Sequence, residues 1–174
     1  MRHAAVLLAL ALAMGCTHSP PTGTATGPGL VLTEGTVSGL TLATYPGGAP
    51  HPFADDRGHV LVVDAWATWC APCVRSLPML QALQQRYAAQ GLRIYAVSVD
   101  GGKGDIPDFL AKTPITLPIL LDPDGNALEA ALGLRGMPTT WVVDRSGKVR
   151  ARHEGFDGDL AGVQADVERL LAEP

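Results

Sequence analysis

Positive charge is not in excess in this sequence: 13 lysines and arginines stand against 17 aspartates and glutamates, for a formal net charge of −4. That balance offers no electrostatic footprint for a phosphate backbone and argues against a nucleic-acid partner. No apolar run reaches the roughly 18 to 20 residues that a spanning helix needs, which argues against an integral membrane protein. Cysteine is scarce, with three in 174 residues, too few for a disulfide-stapled miniprotein and odd in number. A second cysteine pair and a His-x3-5-His cluster are both missing, so a zinc site lacks two of its four ligands. Gly101-Gly102-Lys103-Gly104 has neither the leading glycine nor the Ser/Thr of a phosphate loop and reads as a surface loop. Asp122, Asp124 and Asn126 imitate the start of a calcium loop, but Ala127 replaces its glycine and Gly133 its bidentate glutamate, which leaves a turn. There is no repeat at solenoid spacing. With 47% hydrophobic residues, the chain has material for one domain with a real core.

The odd cysteine is explained at the start of the chain. Arg2 and His3 precede ten uninterrupted apolar residues, Ala4 to Ala13, and small residues lead into Cys16. This is the pattern of an export signal over residues 1–15. Because the apolar stretch ends on a cysteine, it resembles the lipobox of bacterial lipoproteins, which implies lipidation of Cys16 as the new N-terminus. Ordinary signal cleavage and an uncleaved anchor are the alternatives. Residues 17–29 contain only Thr, His, Ser, Pro, Gly and Ala, which cannot bury enough surface to offset the entropy of ordering. Residues 16–34 are therefore expected to form a lipidated cysteine and flexible linker, and residues 35–174 the folded domain.

Within that domain, residues 36–44 alternate loosely and end in a turn at Pro46-Gly47-Gly48, and 59–66 (HVLVVDAW) form a nearly continuous apolar strand. Val74, Leu77, Leu80, Leu83 and Tyr87 recur at spacings of three and four, predicting a helix over 71–90 with Pro78 as a kink. Strands at 92–99, 117–121, 139–143 and 148–154 and helices at 106–112, 127–132 and 160–171 complete the pattern. Alternating strands and helices mean an α/β sheet, made partly antiparallel by the closing hairpin. His51, His59 and His153 have no partner motif and read as isolated histidines.

The chemistry concentrates at Trp69-Cys70-Ala71-Pro72-Cys73, where a buried strand turns into a helix. Thiol exchange needs one thiolate to attack and a second thiol to release the mixed disulfide, and a two-residue spacer on a first helical turn brings the sulfurs together. The helix N-terminus lowers the pKa of Cys70, while Cys73, one turn inside, is more shielded. Pro72 suits a first-turn site, where its missing N–H has no partner to lose. An inert structural disulfide is the alternative.

These residues carry a resemblance. Asp64-Ala65-Trp66-Ala67-Thr68-Trp69-Cys70-Ala71-Pro72-Cys73, with Pro78 and then Gly136-Met137-Pro138-Thr139-Thr140 before a strand, resembles the thioredoxin superfamily. Within it the chain is most similar to the TlpA/ResA-like exported, membrane-tethered thiol-disulfide oxidoreductases, over about residues 35–172. The resemblance implies a thioredoxin-like fold, a central mixed sheet flanked by helices with an N-terminal strand extension. It places Cys70 at the exposed start of the long helix and Pro138 opposite it as a cis proline. A cis bond would turn the Met137 backbone outward, where an extended substrate can pair with it; a trans turn is the alternative. Trp69, Ala71 and Pro72 would share that substrate surface, with Trp69 limiting access to the sulfur.

Asp64 is a charge inside an apolar strand, six residues before Cys70, and can lie under the disulfide. There a raised pKa would let it take the proton of Cys73; a satisfied structural aspartate is the other reading. ResA-like proteins usually carry asparagine here and a glutamate three residues after the second cysteine, where this chain has Ser76. The implied protein is a monomeric, lipid-anchored, extracytoplasmic oxidoreductase on the periplasmic side of a bacterial membrane. It would act on protein thiols and disulfides without a cofactor, most often as a reductase, for example in cytochrome c maturation, and would draw on a membrane electron donor. An oxidase or isomerase is the first alternative. A thiol peroxidase lacks the Pro-x3-Thr-x2-Cys arrangement, and a copper or haem chaperone lacks a third ligand.

Overall fold

A computed structural model describes residues 35–102 and 104–174. The expected export signal, Cys16 and the expected linker up to residue 34 lie outside the described residues. Seven strands form one mixed sheet: β1 Thr41–Tyr45, β2 Pro50–Pro52, β3 Val60–Trp66, β4 Leu92–Ser98, β5 Ile119–Leu121, β6 Thr139–Val143 and β7 Val149–Glu154. Their order is β2-β1-β5-β4-β3-β6-β7. Four helices flank them: α1 Ala71–Tyr87, α2 Ile106–Lys112, α3 Asn126–Leu132 and α4 Ala161–Ala172. This is the partly antiparallel α/β sheet that the strand and helix pattern predicts, and the thioredoxin-like fold that the resemblance implies.

Every residue of β3 is buried, as a central strand covered on both faces must be. β3 runs parallel to β4 and antiparallel to β6, with Ala65 opposite Thr139 and Leu61 opposite Val143. The two ends of the sheet are thereby distinguished. β3 ends beside the start of β6 and leads into Cys70, whereas the β6–β7 turn lies at the far pole. Thr36 forms a lone antiparallel bridge with Lys148 at that far pole, and Val37 N–H donates to the Gly147 carbonyl. The loosely alternating stretch over 36–44 thus has two parts: its first residues dock on the β6–β7 turn, and only 41 onward enters β1.

Helix α1 runs through Pro78 without interruption. The proline is exposed, so the Val74 carbonyl it frees can be hydrated. Leu77, Leu80, Leu83 and Tyr87 form the buried side of the helix. Tyr87 Oη reaches Glu168 and receives a bond from Gln164, both on α4, which puts α1 and α4 in one layer. Asp122 Oδ1 and Oδ2 accept the amides of Ala127 and Leu128 at 3.1 and 2.8 Å, so the apparent calcium loop is a helix-start turn.

His51 is not isolated. Its Nε2 lies 2.8 Å from Asp56 Oδ2, while Arg93 Nη1 and Tyr95 Oη reach Oδ1 at 2.5 and 2.7 Å. Burial pushes the Asp56 carboxyl up, but hydrogen bonds from Arg93, Tyr95 and His51 outweigh it and hold the group below the usual carboxylate range. A carboxyl held low supplies stability at neutral pH that is lost as pH falls through its folded pKa. Asp56→Ala should cost about 3 kcal/mol at pH 7, because three polar partners lose a buried acceptor. Urea unfolding of wild type and variant at pH 7 and pH 3 measures this, and the gap should narrow in acid.

Candidate active site

The turn between β3 and α1 is fixed from two sides. Cys70 N–H donates to the Ala67 carbonyl at 3.0 Å. Asp100, buried just beyond β4, accepts from Thr68 N and Thr68 Oγ1 at 2.9 and 2.8 Å through one oxygen, and from Ser98 Oγ at 2.7 Å through the other. Asp100 thus pins the backbone two residues ahead of Cys70. The sequence reading missed it, and its only signal was a lone aspartate between an apolar strand and a glycine pair.

Cys70 is the N-cap residue of α1, no side chain caps this helix end, and no acidic residue stands in its first turn. The positive end of the helix is therefore left for a developing thiolate on Cys70. Cys70 and Cys73 are joined in a disulfide with Cα atoms 5.3 Å apart. Cys73 is wholly buried, and Cys70 keeps 6% of its surface. Cys70, expected at an exposed helix start, is therefore nearly buried and keeps the only accessible surface of the pair. Beside it in the chain, Trp69 is 56% exposed, so its indole is not part of the core. Ala71 is exposed and Pro72 half-buried.

The Met137–Pro138 peptide is cis. Thr139 pairs with Ala65, so Pro138 and Met137 lie at the end of the sheet where β3 gives way to the cysteines. Pro138 is buried and Met137 half-buried. The Pro138 carbonyl accepts from Gly155 N–H at 2.8 Å, which ties the loop after β7 to this edge.

Asp64 is fully buried. Its Oδ1 accepts from Thr140 Oγ1 at 2.6 Å, and its Oδ2 has no partner among the described residues. Burial, only partly offset by the Thr140 bond, pushes its carboxyl from 3.8 up to about 7. Thr140 is the cross-strand partner of both Asp64 and His153, and residues directly opposite share a face. His153 meets α4 through Asp166, 3.0 Å away, so Asp64 lies on the face covered by the α1 and α4 layer. His153 is thus paired, contrary to the isolated reading. Ser76, in the position where the resemblance places a glutamate, is buried and donates its hydroxyl to the Cys73 carbonyl at 3.0 Å. Of the two buried acids near the cysteines, Asp100 is fully engaged by Thr68 and Ser98, and Asp64 keeps an oxygen without a partner among the described residues.

Residues 40–152 match the model of the AhpC/TSA family. The chain belongs to that family. Its AhpC/TSA relatives include the thiol-disulfide oxidoreductase ResA of Geobacillus kaustophilus, 32% identical over 124 residues, spanning 71% of this chain and 68% of that protein. ResA of Geobacillus thermodenitrificans is 36% identical over 103 residues, 59% of each protein, so the match spans under two thirds of that relative. Among solved structures, a Chlorobium tepidum protein described as a putative DsbE thiol:disulfide interchange protein superposes with a TM-score of 0.72 at 33% identity. That likeness covers 82% of this chain and all of the other. This AhpC/TSA chain is similar to proteins named for ResA- and DsbE-type thiol-disulfide chemistry, and its own cysteine pair forms a disulfide.

Proposed function

We propose that the protein is an extracytoplasmic thiol-disulfide oxidoreductase that works chiefly as a reductase of protein disulfides. The observation that carries this is the Cys70–Cys73 disulfide at an uncapped helix start, open to solvent only at Cys70. In the cycle, the Cys70 thiolate attacks a substrate disulfide and forms a mixed disulfide, releasing one substrate thiolate. Cys73 then attacks the Cys70 sulfur, gives its proton to Asp64 and releases the second substrate thiolate. Trp69, Ala71, Pro72, Met137 and Pro138 form the surface on which the substrate backbone lies. Two electrons pass to the substrate and must be restored, which in an oxidising compartment calls for a membrane electron donor. ResA-type relatives support an exported setting, and cytochrome c maturation is the process we assign within it.

The equilibrium potential of the Cys70/Cys73 couple against glutathione tests the direction. A value near about −270 mV supports a reductase, and one near about −120 mV would make the protein an oxidase. The anchor is tested separately. A palmitate analogue should label the wild-type protein and lose all signal in Cys16→Ala, because residues 17–29 offer no other cysteine. Equal labelling of the variant would remove Cys16 as the lipid site.

A further inference from the structure

Asp64 is closed off from water, yet the proposed cycle needs its proton to arrive and leave once per turnover. Its one polar contact among the described residues is the Thr140 hydroxyl. That hydroxyl donates to Asp64 and keeps its own lone pairs free to accept. On its other side Thr140 lines a cleft of about 430 Å³ between β7, the following loop and α4, together with His153, Glu154, Asp157 and Asp159. The cleft is polar and has room for several waters, each needing about 30 Å³. His153 stands directly across the strand pair from Thr140, half-buried, with its Nε2 on Asp166. Asp64, Thr140 and His153 thus form one row across β3, β6 and β7, running from the buried carboxyl to the cleft.

We propose that His153, oriented by Asp166, is the relay through which the Asp64 proton exchanges with solvent by way of the Thr140 hydroxyl. The transfer balances without any further reactant. Asp64 takes the Cys73 proton and hands it to Thr140 Oγ1, which passes its own proton outward into the cleft. His153 accepts it there and releases it to water, and the Asp64 carboxylate is restored. Imidazole suits this step because one ring nitrogen can take up a proton while the other is held by Asp166. The charged groups near His153 are Asp166 on α4, itself bonded by Arg169 at 2.7 Å, and Asp157 and Asp159 around the cleft; Glu154 also lines the cleft, with its carboxylate paired to Arg152. Arg152 is on the other face, its guanidinium 6.0 Å from the Trp141 ring centre. Asp64 itself meets no charged side chain among the described residues.

This rests on Asp64 as the proton acceptor, and His153 is a positioning and relay residue rather than one that touches substrate. The test is multiple-turnover reduction of a peptide disulfide by the full-length protein, with excess dithiothreitol as electron source and the uncatalysed rate subtracted, from pH 5.5 to 8.5, at low and high buffer concentration. His153→Gln keeps a side chain able to bond Asp166 but cannot titrate. It should slow the reaction about tenfold near pH 7, leave the melting temperature unchanged, and recover with added imidazole. Asp64→Asn should also be slow and should not recover. Wild-type rates in His153→Gln, or slow rates indifferent to imidazole, overturn the relay while leaving the acceptor in place. Wild-type rates in Asp64→Asn overturn both.

Discussion

Cys70→Ser will reduce disulfide exchange to the uncatalysed background, whereas Cys73→Ser will still attack substrates and remain joined to them. The two cysteines differ in access and in field. Cys70 caps α1, faces its free amides without a competing carboxylate and keeps the only accessible surface of the pair; Cys73 is sealed one turn further in. A thiol at a helix N-terminus is more acidic, and the thiolate is the nucleophile. Alkylation of the reduced protein at pH 7 should label Cys70 on the order of tenfold faster than Cys73. Faster labelling of Cys73 would reverse the assigned roles. Mass spectrometry of each variant after mixing with a disulfide substrate separates the outcomes: an adduct that persists in Cys73→Ser and none in Cys70→Ser.

Asp64→Asn should make the oxidised protein more stable in mild alkali while making the enzyme slower. The wild-type carboxyl titrates near 7 in the fold because burial penalises its charged form. Between its ordinary pKa and 7 the folded state holds a proton that the unfolded state has lost, so this group's contribution to stability falls as pH rises through that window. Above 7 the penalty is complete, on the order of 4 kcal/mol if the whole gap from 3.8 is realised. The amide removes that slope. Urea unfolding should therefore show the variant ahead at pH 8 and the two proteins close together at pH 4. A parallel pH dependence in both would mean that Asp64 is already neutralised by some other route. In catalysis the variant should resolve mixed disulfides about tenfold or more slowly at pH 7. The deficit should shrink at higher pH, where the Cys73 thiol ionises unaided.

The parts of this architecture that local pattern determines were legible in the sequence. The apolar run before Cys70 specified β3, and leucines at spacings of three and four specified α1, so the cysteines could be placed at a strand-to-helix junction. Strand β2 was not legible, because Pro50-His51-Pro52 has no alternation and proline argues against a strand. It forms at the edge of the sheet, where a missing N–H costs no ladder bond. The groups that surround the site were also hidden. Asp100 lies 32 positions from Thr68, His51 meets Asp56 only after a 3-10 turn brings it back, and His153 finds Asp166 across a loop and a helix turn. Each bond depends on tertiary approach, which no periodicity encodes. Asp64 was the exception, since a charge within an apolar run announces itself.

The docking of Thr36 against Lys148 gives the molecule a handle and a working tip. The chain enters at the pole of the β6–β7 turn, while the sulfurs sit at the opposite end of β3, roughly 20 Å away for a seven-residue strand. The first described residues and the cysteine pair thus stand at opposite poles of the sheet, which acts as a rigid spacer between them.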